Sequence, residues 1–294
     1  MRLATIITDG QEHLAICLQT GIVCIRDLNR EFRSQWPETM EQLLTTDRLT
    51  ALNDWYRQNG GLCLDPLGCL VLKAEACAYA PLYRHPPKLW GIGLNYSAHA
   101  RDLSESAPTS APASFMKPYT AIIGHGDEIR IPRLSEKTTA EAELGIIIGR
   151  RCKDVPREKW KDVVAGFTGV IDMTAEDILR QNPRYLTMSK SFDTFFSFGP
   201  QMVTSDEVDD VLKLMVSTVI NGRMHAENTV DHMTFPPDEL ISYHSRVMTL
   251  LPGDVISTGT PGAVHIHHGD NVECRITGFE PLKNPVIDLK HPGV

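Results

Sequence analysis

Three carboxylates stand out for the chemistry their spacing permits. In Thr139-Ala140-Glu141-Ala142-Glu143-Leu144-Gly145-Ile146-Ile147-Ile148-Gly149 the first two are two residues apart. On a strand, residues two apart share a face. Glu141 and Glu143 then point one way, while Leu144, Ile146 and Ile148 point the other way into a core. Adjacent carboxylates in a partly buried place repel strongly, and a bound dication removes that repulsion. An all-oxygen set suits hard ions such as Mg²⁺ and Mn²⁺. An exposed strand entry with two solvated acids would carry the same E-x-E pattern. Asp172 adds a third acid. It ends the apolar run 163–171 and precedes Thr174-Ala175-Glu176-Asp177, which resembles a capping box opening a helix. A carboxylate between strand and helix is well placed for a site, and a simple turn Asp is the plainer alternative.

The elements that must position these acids can be read around them. Residues 1–80 form a small N-terminal α+β unit: LATIIT and LAICLQTGIVCI read as strands with turns at Asp9-Gly10 and Gly21. Apolar residues at helical spacing over 37–58 indicate one or two helices. The Pro-rich run 80–88 is a linker, and residues 81–294 make the larger domain. There AELGIIIG, VVAGFTGVID, LMVSTVING, DVISTG and NVECRI read as strands, with helices over 155–164, 175–182 and 237–246. Strands and helices do not alternate as a doubly wound sheet requires. The fold class is therefore α+β and β-rich. The small, polar, Pro-rich stretch 104–114 is a lid candidate.

Bulk properties narrow the partners. A formal net charge of -8 argues against nucleic acid or an anionic membrane surface. No run of 18 apolar residues is present, and the start of the chain turns polar too soon for a signal peptide. Seven cysteines, an odd number with no C-x-x-C, read as reduced thiols in a cytoplasmic protein and argue against a cysteine zinc site.

Over residues 86–290 the chain resembles the fumarylacetoacetate hydrolase superfamily. The matching blocks, in order, are G-x-G-L-N-Y-x-x-H (91–99), F-x-K-P (115–118), E-x-E-L-x-x-x-I-G (141–149), D-x-T-A-x-D (172–177), K-S-F-D-T-F-x-x-x-G-P (190–200), N-G (221–222) and L-x-P-G-D-V-I-x-T-G-T-P (250–261). The resemblance implies a mixed β-sandwich or roll, and a metal held by Glu141, Glu143 and Asp172. It implies His99 as general base, Lys190 as the active-site lysine, and Lys117 and Thr260 as substrate contacts. A homodimer is expected from the same likeness. The family orients its His with a Glu three residues later. Asp102 stands there instead, and Glu105 is the nearby substitute.

What the resemblance implies chemically is a C–C hydrolase for a 1,3-dicarbonyl or acylpyruvate-like acid. Such a substrate chelates Mg²⁺ or Mn²⁺, which stabilises an enolate. His99 activates water and Lys190 meets the oxyanion. Decarboxylation of an oxaloacetate-type β-keto acid and isomerisation of an unsaturated 2-oxo acid draw on the same enolate. A metal-binding protein without catalysis is the alternative of another class. The family commonly has Asn, Arg and Gln where this chain has Ile171, Glu176 and Leu179. Glu176 thus reverses a charge that relatives place on substrate, with Arg180 or Arg184 as replacement cations. His265, His267 and His268 match no family ligand and read as loop residues.

Overall fold

The computed structural model describes residues 1–59, 71–96 and 108–291. The N-terminal alternation closes into a hairpin. Strands β1 (Arg2–Thr8) and β2 (Gln11–Leu18) pair antiparallel across Asp9-Gly10, both residues at positive φ (54° and 73°). Such turns twist with their strands and so favour close pairing. β3 (Gly21–Cys24) adds to β2. The expected strand ends at Cys24, because helix Ile25–Phe32 follows with Ile25 and Leu28 buried and polar residues between them. Helices Met40–Thr45 and Leu49–Gln58 fill the 37–58 segment. Thr39 caps the first by accepting the Gln42 N–H.

The remaining strands are β4 (Ala78–Tyr79), β5 (Leu89–Gly93), β6 (Ala113–Lys117), β7 (Ile122–Ile123), β8 (Ile129–Ile131), β9 (Thr138–Ile148), β10 (Val164–Ala175), β11 (Phe196–Thr204), β12 (Met215–Ile220), β13 (Arg223–Thr229), β14 (Val255–Ser257), β15 (Ala263–His265), β16 (Asn271–Ile276) and β17 (Leu282–Asp288). Twelve described strands form one sheet along the path β3-β2-β1-β11-β10-β9-β14-β5-β6, with β4, β7 and β15 attached to β1, β11 and β9. Five more form a second sheet, β13-β12-β16-β17-β8. This is a strand-rich α+β fold. The two sheets face each other across β9, where the Thr218 hydroxyl accepts the Ala142 N–H at 3.1 Å and the Cys274 thiol donates to the Glu143 carbonyl at 3.6 Å.

Helices Glu176–Gln181 and Pro237–Val247 lie where helical spacing indicates them. Over 155–164 the chain instead makes a 3₁₀ helix, Arg157–Val163, that buries Trp160. The Pro-rich 80–88 run is pinned to the larger sheet's surroundings: the Tyr83 hydroxyl donates to Gly253 O at 2.9 Å, and Lys88 pairs with buried Asp254 at 2.7 Å. β1 pairs with β11, so the N-terminal hairpin continues the site-bearing sheet. Leu3, Leu14 and Val23 share one core with Leu89, Ile146 and Val170.

Candidate metal centre

β9 and β10 are long, antiparallel and buried along their whole length. Their register sets Asp172 directly opposite Glu141, with Glu143 opposite Val170. Alternation then brings Thr139, Glu141, Glu143, Asp172 and Thr174 to one face. One oxygen from each of Glu141, Glu143 and Asp172 lies within 4.8 Å of the others, and all three residues are buried. Like charges directly opposite weaken a sheet, and burial multiplies the cost unless they are paired.

Two buried lysines supply the pairing. Lys190 Nζ donates to Asp172 Oδ2 at 2.7 Å and to Glu141 Oε2 at 3.1 Å. Lys117 Nζ donates to Asp172 Oδ1 and to Met173 O, the latter at 3.1 Å. Each ammonium also faces a ring: Lys190 lies 4.8 Å from the Phe115 centroid and Lys117 5.9 Å from that of Phe195. Glu141 Oε1 accepts the Thr174 hydroxyl at 2.7 Å. Glu143 Oε2 accepts the Ser257 hydroxyl at 2.5 Å and the Gly259 N–H at 2.8 Å.

The electrostatics follow from burial first and neighbours second. Burial, with the charges of Asp172 and Glu141, pushes the Glu143 carboxyl up to about 8. Burial alone would also raise Asp172, but the charges of Lys117 and Lys190 outweigh it and hold Asp172 below its ordinary value. Burial pulls Lys117 down to about 8 despite Asp172. It acts on Lys190 in the same sense, but Asp172, Glu141 and Glu143 outweigh it and raise that lysine. With a proton on Glu143, two carboxylates and two ammonium groups balance. An incoming dication would replace that proton and compete for the lysine-bound oxygens. The donor set fits a hard dication: carboxylate oxygens only, with no thiol or imidazole among them.

Lys117 and Lys190 thus join the triad. Thr260 is buried in the adjoining turn, where its hydroxyl donates to Gly262 O at 3.1 Å and accepts the Gly262 N–H at 3.2 Å. Glu176 pairs with two partly exposed cations, Lys137 at 2.8 Å and Arg180, while Arg184 is exposed. His265 and His267 are ring neighbours at 4.3 Å, and His268 stacks on His291 at 4.0 Å. None of them belongs to a metal-competent group among the described residues. His99, Asp102 and Glu105 lie outside the described residues. Thr174, Ser257 and Gly259, which support the triad, did not emerge from the alternation argument. Thr174 and Gly259 are specified positions of the blocks D-x-T-A-x-D and L-x-P-G-D-V-I-x-T-G-T-P, whereas Ser257 falls on an unspecified one.

Residues 88–287 match the family model described as fumarylacetoacetate (FAA) hydrolase C-terminal. The chain belongs to this family. It is 31% identical, over 98% of its own length and 92% of the relative's, to the mitochondrial oxaloacetate tautomerase Fahd2a of Rattus norvegicus. An uncharacterised protein of Pyrococcus horikoshii is 39% identical over 69% of this chain and 89% of that one. The fold superimposes on maleylpyruvate hydrolase from Sphingobium sp. SYK-6, solved with manganese(II) and pyruvate, with a TM-score of 0.79 at 27% identity, covering 98% and 99% of the two chains. A 5-carboxymethyl-2-hydroxymuconate delta-isomerase from Mycobacterium smegmatis gives 0.74 at 28% identity, covering 99% and 100%. The tautomerase, the hydrolase and the isomerase are enzymes of small organic acids, and the neighbour with manganese, together with the buried acidic triad, points to a divalent metal. Among the described residues no helix is long and apolar enough to cross a membrane.

Proposed function

We propose that this protein is an Mg²⁺- or Mn²⁺-dependent enzyme that enolises a short 2-oxo acid, and that the reaction is keto–enol tautomerisation of an oxaloacetate-like diacid. The observation that carries the reading is the buried triad of Glu141, Glu143 and Asp172 with two lysines held against it. These carboxylates would hold the cation, which when bound withdraws electron density from a 2-oxo carbonyl. Lys190 and Lys117 place ammonium groups where negative charge develops on the substrate oxygen. Phe115 and Phe195 line the ammonium groups and keep bulk water from them. In tautomerisation a proton leaves the carbon next to the carbonyl and one is added at the carbonyl oxygen, with no other bond broken. The likeness to an oxaloacetate tautomerase over nearly the whole chain supports that outcome.

The second reading is C–C hydrolysis of an acylpyruvate-like acid. The H-x-x-D sequence of His99 and Asp102 favours it, as does the fold shared with maleylpyruvate hydrolase. There His99 would take a proton from water and Lys190 would meet the oxyanion. A cytoplasmic homodimer is the setting both readings assume, and light scattering tests the dimer.

The deciding experiment supplies oxaloacetate and an acylpyruvate panel, with Mg²⁺ or Mn²⁺, in ¹⁸O water. Accelerated enol–keto exchange of oxaloacetate, lost in Glu143→Ala, is the expected result. Acylpyruvate cleavage with label in a carboxylate product, and no effect on exchange, would replace the first reading with the second. CO₂ release without label would point to decarboxylation.

A further inference from the structure

Asn95 lies two residues beyond β5, is 1% exposed, and uses its whole side-chain amide. Nδ2 donates to Phe235 O at 2.9 Å and to Thr258 O at 2.8 Å, while Oδ1 accepts the Phe235 N–H at 2.9 Å. Its backbone carbonyl accepts the Thr234 N–H at 2.7 Å. One residue therefore joins three segments far apart in the chain: the end of β5, the entry to helix Pro237–Val247, and the turn after β14. Only an amide presents two donors and an acceptor in one plane at this size.

The bond to Thr258 reaches the metal centre in one step. The next residue, Gly259, gives its N–H to Glu143 Oε2 at 2.8 Å. Gly259 has φ +95°, and a Cβ there would stand 2.8 Å from Asn95 Cβ and 3.0 Å from Ile92 O. The peptide that anchors Glu143 is thus both bonded to Asn95 and pressed against it. Ser257, just before Thr258, anchors the same Glu143 oxygen at 2.5 Å. Both anchors thus fix the same oxygen, Oε2. We propose that Asn95 is a positioning residue for Glu143: through Thr258 and Gly259 it sets the orientation in which that carboxylate meets a divalent cation. This rests on the reading that the triad holds the cation.

The test is Mn²⁺ titration by calorimetry of the full chain, with thermal melts to establish folding. The probes are Asn95→Ala, Ser257→Ala, their double variant and Glu141→Ala. Asn284→Ala is the control: Asn284 is equally buried and ties Ser197 to Gly124 and Asp127 at 2.7–2.8 Å. Outer residues that orient metal ligands are typically worth about 10- to 100-fold in affinity, so Asn95→Ala should raise the Mn²⁺ Kd about tenfold or more. Asn284→Ala should leave it within about twofold. Because Asn95 and Ser257 act on one oxygen, their effects should be non-additive. A general structural role would give additive effects and equal losses in the control. Wild-type affinity in folded Asn95→Ala, or additivity with Ser257→Ala, overturns the positioning role while leaving the metal reading intact. A wild type that binds no Mn²⁺, or is unaffected by Glu141→Ala, sinks both. Asn95→Asp keeps the volume and the acceptor for the Phe235 N–H but loses both donors, toward Phe235 O and Thr258 O. It is measured alongside and decides by the same Kd criterion if Asn95→Ala does not fold.

Discussion

Asp172 and Glu176 are four residues apart, and each is held by two cations. Asp172 sits between Lys117 and Lys190, and Glu176 between Lys137 and Arg180. The arithmetic of charge is the same, but the surroundings differ. Asp172, Lys117 and Lys190 are 1%, 1% and 7% exposed at the side chain, whereas Glu176 is 13% exposed and its partners Lys137 and Arg180 are 41% and 61% exposed. In the first cluster water cannot screen the charges, so protons shift and neighbours are forced into alternatives. In the second, solvent takes most of the interaction and the pairs are worth about 0–1 kcal/mol each. Ion pairing alone therefore does not mark a site. What separates the two is desolvation, which turns charge compensation into a place that can exchange ammonium for a dication.

The contrast can be broken at four points of decreasing effect. Asp172→Asn or Glu143→Ala should abolish Mn²⁺ binding and activity together, read by calorimetry and by oxaloacetate exchange. Retained binding in either variant would dissolve the distinction between the clusters. Lys190→Ala leaves a buried acid uncompensated and should destabilise the metal-free protein by about 3–5 kcal/mol, whereas Arg180→Ala should cost about 1 kcal/mol or less. Denaturant titration measures both, and equal losses would refute the role of burial.

The third effect is pH dependence. Glu143 has its proton held up to about 8 in the folded, metal-free chain against an ordinary value of 4.5. The folded state then binds more protons than the unfolded one, so the stability from this group is complete below 4.5 and is lost as pH rises toward 8. Asp172, lowered by its lysines, acts in the opposite direction, and its contribution is lost only as pH falls through the acid range. The melting temperature in chelator should therefore fall from mildly acidic to mildly alkaline pH, and Glu143→Gln should flatten the curve. Mn²⁺ should remove the slope. Identical slopes in wild type and Glu143→Gln would place the proton elsewhere. The fourth effect belongs to Glu176→Arg. It removes both pairs and should cost about 2 kcal/mol or less, while raising turnover of acylpyruvates. No gain in a folded variant would remove Glu176 as the cause of altered substrate choice.

Much of this site was readable from local pattern because its chemistry lies on strands. The period of two alone places Glu141 and Glu143 on one face, and the apolar run before Asp172 makes β10. The pairing that sets Asp172 opposite Glu141 spans 31 residues and leaves no local mark. The anchor from Ser257 to Glu143 spans 114 residues, so only the ordered blocks pointed to that segment. Helix Ile25–Phe32 was masked by the β-branched residues before it, since Ile25 reads equally well as the end of a strand and the start of a buried helical face. The Arg157–Val163 segment has helical spacing, yet tertiary contact through Trp160 is made by tighter 3₁₀ turns. Glu176 is legible as a charge reversal, but its pairing with Lys137 depends on Lys137 standing at the entry of β9, next to the start of that helix. Sequence distance hides this neighbour.

The junction between β1 and β11 has a consequence for chain shortening. β1 covers the main-chain groups of β11 through Arg2 opposite Val203, Leu3 opposite Met202 and Ala4 opposite Gln201. On its other side β11 pairs with β10, the strand of Asp172. Cutting the chain near residue 80 would strip that cover from Gln201, Met202 and Val203 and open that stretch of β11, while β7 would still cover Phe196 and Ser197 at the end opposite Asp172. Open edges recruit other edges, so residues 81–294 alone should self-associate, visible as early elution in size-exclusion chromatography, rather than persist as a smaller working enzyme.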